Sequence, residues 1–170
     1  MQARLLGHPI HPMLIVFPLG LLATGVAFDI VGLAQGESSW YSVSYWLIAS
    51  GIIGGLLAAV FGLIDWVGIP SGTRAKRIGL LHGGTNVIVV LLFIVSWFMR
   101  GSAGNTPGNG ALTLSFIGVA LALVGGWLGG ELVDRLGIGV DEDAHPDAPS
   151  SLSNRPAAER ESRGPVRRAA

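Results

Sequence analysis

The chain has 170 residues, half of them hydrophobic, with a mean hydropathy of +0.57. Only 13% are charged, well below the roughly one-quarter charged content of a soluble domain. Formal neutrality, a pI near 6.9 and the lack of a basic stripe interleaved with aromatics give no case for nucleic acid. Cysteine is absent, which excludes disulfides, thiolate iron–sulfur ligation, covalent c-type haem attachment and a cysteine nucleophile within this sequence.

In chain order, the first element is Gly7-His8-Pro9-Ile10-His11-Pro12, two imidazoles three residues apart at the threshold of an apolar segment. Four such segments follow, predicted as helices over about 12–34, 43–69, 77–100 and 111–134, each reaching the roughly 20 residues that span a bilayer core. The first is too long for the apolar stretch of a signal peptide and lacks a basic leader, so it is expected to be a resident helix. Short breakers separate the segments: Gln35 to Ser39, Pro70 to Thr73, and Gly101 to Gly110. The predicted fold class is therefore all-α, an integral membrane antiparallel four-helix bundle over 6–140. Residues 141–170 hold five arginines and six acids without an aromatic; such a segment cannot bury enough apolar surface to offset its ordering entropy, and a disordered tail is expected.

Arg74, Lys76 and Arg77 in the second connection, with Arg4 and Arg135 at the ends, place both termini in the cytoplasm by the positive-inside rule, the other connections holding only Arg100. Trp40, Tyr41, Tyr45, Trp46 and Trp97 would form the outer aromatic belt, Trp66 and Trp127 the inner one. Gly51, Gly55 and Ala59, Gly54, Ala58 and Gly62, Gly79 and Gly83, Gly125 and Gly129, and Gly126 and Gly130 recur at four-residue spacing. Small residues so spaced let helices approach closely in lipid, and they offer a route to a homo-oligomer.

With that topology, His8, His11, Asp65, His82 and Glu131 share one cytoplasmic-side layer, Asp65 and His82 roughly 6 to 8 Å inside the boundary at 1.5 Å rise per residue. Intramembrane ionisable groups mark functional sites by default. A residue before proline is pushed toward extended geometry, so His8 and His11 are expected on one face of a polyproline II stretch, their Cα atoms about 9 Å apart. His8, His11 and His82 are the candidate ligands of a b-type haem or a divalent transition metal, with Asp65, Asn86 and Glu131 in support. The plainer reading makes the histidines headgroup-level anchors and pairs Asp65 with Arg74 or Arg77. Asp29, in the outer third of the first helix, is expected to form a structural ion pair with Arg100. No nucleophile–base pair or hydrolytic metal motif points to catalysis, and no polar midplane or broken half-helix to a transporter.

Gly7-His8-Pro9-Ile10-His11-Pro12-Met13 with Phe17-Pro18, Gly62-Leu63-Ile64-Asp65-Trp66 with Ile69-Pro70 and Gly72 to Arg77, Leu81-His82-Gly83 with Asn86, and Gly126-Trp127-Leu128-Gly129-Gly130-Glu131-Leu132-Val133 resemble, in order, the bacterial predicted membrane proteins called domain of unknown function 2231. The resemblance implies four helices in the cytoplasmic membrane. Since some relatives carry a fused Rieske-type or cytochrome domain, it also implies a redox partner of that kind. Many relatives continue the fourth motif with tyrosine and then histidine, where this chain has Asp134 and Leu136; a site that needs that imidazole would be differently liganded here. The expected function is a small redox-associated membrane protein, with a cofactor-free structural or partner-binding subunit as the alternative and a small channel or transporter as the weaker one.

Overall fold

The computed structural model describes residues 3–153 and 155–159. Its elements are a two-strand hairpin, β1 (Arg4–Leu5) and β2 (His8–Pro9), then α1 (Ile10–Leu14), α2 (Val16–Gln35), α3 (Ser38–Gly68), α4 (Arg74–Met99), α5 (Asn109–Gly130) and a closing π-helical turn over Glu131–Arg135. Four spans among the described residues, Ile10–Gln35, Ser38–Gly68, Arg74–Met99 and Asn109–Arg135, are long and apolar enough to cross a membrane.

Local chemistry sets each boundary. The hairpin turns at Leu6 and Gly7, both at positive φ (51° and 84°), the backbone of a two-residue type I′ turn. The first span is interrupted at Ile15 because Pro18 has no N–H for the carbonyl of Leu14, four residues before it. Gly36 ends α2 in the left-handed region, its amide reaching Gly32 O at 2.8 Å. Thr73 caps α4: its hydroxyl accepts the Lys76 amide at 3.1 Å and donates to Pro70 O at 2.8 Å. Thr73→Ala is expected to cost about 1 kcal/mol in detergent denaturation, as loss of an N-cap does elsewhere.

The connections are short, so neighbouring helices run antiparallel, α2 packing along α3 and α4 along α5, with α3 on α4 joining the two hairpins and α2 touching α5 to close the bundle. The core is small: Leu22, Val26, Ile48, Ile52, Val89 and Phe93. Most large apolar side chains, Leu80, Leu123 and Trp127 among them, face outward, the distribution of a protein whose solvent is lipid. Glycines supply the close approach. A Cβ on Gly51 would lie 2.7 Å from Leu22, one on Gly118 2.7 Å from Phe93, and one on Gly32 2.6 Å from Tyr41. The four-residue glycine series on α3 is thus taken up by contacts within the chain, whereas Gly83, Gly126 and Gly130 meet nothing within 4 Å.

One expectation needs correction. His8 and His11 do not share a polyproline II face: His8 lies in β2 and His11 in the first turn of α1. Proline at positions 9 and 12 is compatible with this, since the first-turn amides of a helix have no intrahelical acceptor to lose. The segment after Val140 forms turns without a helix or strand among its described residues, as expected of a tail too polar to build a packed element. Asp141 pairs with Arg4 at 2.7 Å, and Ser151 Oγ lies 3.2 Å from His8 Nε2. The expected disorder at Asn154 and at 160–170 falls outside the described residues.

Candidate functional site

The chemistry-bearing groups fall into two layers, one at each end of the bundle. At the end carrying the termini, His11 of α1 and His82 of α4 face each other across the bundle with ring centroids 6.1 Å apart and planes at 88°. Each ring is seated in the same way on a different helix. His11 Nδ1 lies 2.9 Å from Ala58 O, and a Cβ on Gly62, one turn further along α3, would come within 2.9 Å of its Cε1. His82 Nδ1 lies 2.9 Å from Gly125 O, and a Cβ on Gly129 would come within 3.2 Å of its Cε1. A small-residue pair at i and i+4 thus supplies a carbonyl from its first member and room for the ring at its second. A carbonyl only accepts, so Nδ1 is the donor in both rings, and in the neutral imidazole Nε2 is then the nitrogen with the lone pair. Asn86 Nδ2 donates to His82 O at 2.9 Å and sits 3.4 Å from both ring nitrogens.

At the opposite end Asp29 and Arg100 form a two-pronged pair, Arg100 Nη2 to Asp29 Oδ2 at 2.6 Å and Nη1 to Oδ1 at 2.8 Å, with both side chains buried. Ser115 Oγ accepts from Nη2 at 3.0 Å and Ser44 Oγ from Nη1 at 3.3 Å; Ser96 joins Ser115 at 2.7 Å and donates to Ala111 O at 2.8 Å. Charge buried in an apolar medium persists only when paired and hydrogen-bonded in this way. Tyr45 and Trp97 pack nearby with centroids 5.0 Å apart and their planes tilted at 32°.

Asp29 follows His11 by 18 residues, and Arg100 follows His82 by 18. Eighteen residues are five α-helical turns and about 27 Å of rise, so each helix carries its histidine and its charge on one face, and the two pairs mark the two ends of one interior seam.

The remaining sequence candidates are placed differently. His8 is exposed and faces Ser151 of the C-terminal segment, not the His11–His82 pair. Asp65 accepts the amide of Ala3 at 3.1 Å and so ties the N-terminal hairpin to α3. Glu131 pairs with Arg74, which takes up the cation offered to Asp65 in the plainer reading. Among the described residues no group of three or more histidine and carboxylate side chains is arranged to hold an ion, so the three-histidine site is not assembled. Sequence reasoning missed the carbonyls of Ala58 and Gly125 and the serines at 44, 96 and 115. The carbonyls had a signal, since Ala58/Gly62 and Gly125/Gly129 are four-residue pairs on the helices facing the histidines.

These features define an α-helical four-span membrane protein with a polar layer at each end of a small-residue seam. The chain belongs to the family described as "predicted membrane protein (DUF2231)", whose model matches residues 7–142. No curated protein and no solved structure matches it.

Proposed function

We propose that this chain is a small electron-transfer protein of the bacterial cytoplasmic membrane that holds one b-type haem between His11 and His82. The observation that carries the reading is the pair itself: two imidazoles with Nδ1 fixed on backbone carbonyls and centroids 6.1 Å apart. Two imidazoles that each brought a nitrogen to about 2.0–2.1 Å of one metal would have centroids no more than roughly 6 Å apart, so the observed separation suits a shared group. Anchoring of the far nitrogen is the usual support for a ligating histidine.

The donor set favours haem over an ion. A divalent ion in a structural site asks for about four protein donors, and among the described residues two imidazoles come together here. A haem would ask one or two ligands of the protein, which His11 and His82 would supply. Bound there, the group would supply one-electron transfer. The protein's own residues hold the imidazoles in one tautomer, set their separation, and keep the site in an apolar surround. Arg74, Lys76, Arg77 and Arg135 near this end favour the cytoplasmic side for it by the positive-inside rule, and a Rieske-type or cytochrome partner would dock there.

Expression with a haem precursor, purification in mild detergent and a reduced-minus-oxidised spectrum test the reading. A Soret band at about one haem per chain is expected, lost in His11→Ala and in His82→Ala and kept in His8→Ala. Wild-type protein without a band, or a band indifferent to both substitutions, would overturn it. The first of those outcomes favours the cofactor-free membrane subunit, in which the two imidazoles serve only to clamp helices through Ala58 O and Gly125 O.

A further inference from the structure

The two helical hairpins, α1 and α2 with α3, and α4 with α5, are built on one plan. In each, a histidine lies in the first half of the first span, a buried charge follows on the same face, and a buried serine of the second span joins the charge pair. These are His11, Asp29 and Ser44 in one hairpin, and His82, Arg100 and Ser115 in the other. The members of all three pairs stand 71 residues apart, and so do Leu22 and Phe93. Leu22 fills the space beside Gly51 of α3, and Phe93 the space beside Gly118 of α5. Further along the second spans the equivalents stand 67 residues apart: Gly51 and Gly118, then the ring seats Ala58 and Gly125, and Gly62 and Gly129. The spacing has changed by four residues, about one α-helical turn, so the seats keep to the same face.

α2 and α4 run in the same direction and α3 and α5 return, so the two hairpins are related by about a half-turn around an axis along the bundle, the parallel kind of internal repeat. His11 meets His82 across the bundle, and Asp29 meets Arg100; both pairs straddle that axis. The histidines and the serines are alike on its two sides, whereas the charges are opposite. Two copies of the first hairpin would set carboxylate against carboxylate in an apolar interior, and two copies of the second guanidinium against guanidinium. Only the mixed pairing leaves no buried charge uncompensated, and penalising the wrong partner is how charge gives specificity.

We propose that this chain is two copies of one helical half-site in tandem, and that Asp29 and Arg100 are the code by which each half selects the other instead of its own kind. The position between His11 and His82 then belongs equally to both halves. The two charges are interchangeable across the axis, because Ser44 and Ser115 offer a guanidinium on α2 the surroundings that Arg100 has on α4.

Asp29→Arg, Arg100→Asp and the two together are made in the full chain, purified in mild detergent without haem, and unfolded with sodium dodecyl sulfate under circular dichroism. The readout needs no bound group, so it is independent of the haem reading. Each single variant brings like charges together and should move the midpoint to a lower detergent fraction. The exchange should recover at least half of the larger shift, with wild-type helix content. Asp29→Lys with Arg100→Glu, of different reach, repeats the comparison against its own single variants. Serine substitutions then read the symmetry itself. In the wild type Ser115→Ala, at the 3.0 Å contact, should shift the midpoint more than Ser44→Ala, at the 3.3 Å contact; in the exchanged chain that order should reverse. Two exchanges that unfold as readily as their single variants, or a serine order that the exchange leaves unchanged, would overturn the proposal.

Discussion

Arg100→Ala will be the most damaging single substitution in the bundle, lowering stability by about 3–5 kcal/mol, the range found when one partner of a buried ion pair is removed. Asp29 is fully buried, and its carboxylate is answered by both terminal nitrogens of Arg100; without the guanidinium only hydroxyls remain near a charge in an apolar medium. Asp29→Ala should cost a similar amount, since it strands the cation. The paired change Asp29→Leu with Arg100→Met should recover most of the loss, because two apolar side chains leave no charge to compensate. Unfolding in detergent, followed by circular dichroism at a series of sodium dodecyl sulfate fractions, measures all three. Single variants within about 1 kcal/mol of wild type would show that the pair is not structural.

The second large effect is expected at the histidine seats. Gly62→Val and Gly129→Val place branched side chains where a single Cβ already meets His11 at 2.9 Å and His82 at 3.2 Å. Neither ring can retreat freely, because its Nδ1 is held on a backbone carbonyl. Overpacking of this kind costs about 1–3 kcal/mol, and the displaced rings should lose the haem band of the proposed site. Gly83→Val is the control: it is adjacent to His82 in sequence yet faces open space, so both stability and spectrum should stay near wild type. Equal effects at Gly83 and Gly62 would mean that the glycines act through general helix flexibility and not through the ring seats.

Much of the fold was legible from the chain. Four apolar stretches of spanning length, with glycine and proline punctuation between them, leave an antiparallel bundle as the economical arrangement, and the observed spans extend the predicted ones by only a few residues, most at Ser38. The histidine layer was legible only as a depth. Residues at equal depth can still face different directions, and direction depends on backbone geometry that the pattern did not reveal. Leu6 in a left-handed turn position is the example: a hairpin there turns His8 toward the C-terminal segment, while the helix that follows sends His11 inward. Asp65 and Glu131 were placed at the right depth, but as ligand support they were assigned without knowing that Ala3 N–H and Arg74 lie within reach. The 18-residue spacing from His11 to Asp29 and from His82 to Arg100 was present in the sequence all along. It becomes readable once each charged residue is asked which helical face it shares with a histidine.

The interruption at Ile15 has a mechanical consequence. Pro18 leaves the Leu14 carbonyl without its helical partner, yet Ile15 keeps helical geometry, its amide on His11 O and its carbonyl taking the Leu19 amide, so a single missing bond separates α2 from α1, which carries His11 on its first turn. Ties on α1 and the hairpin before it include Ile10 N–H to Ala3 O at 2.9 Å, Ala3 N–H to Asp65 at 3.1 Å, and His11 to Ala58 O at 2.9 Å. Two of them end on α3, five turns of which lie between Ser44 and Gly62. The His11 imidazole is therefore positioned from α3, directly through Ala58 O and indirectly through Asp65 and the hairpin.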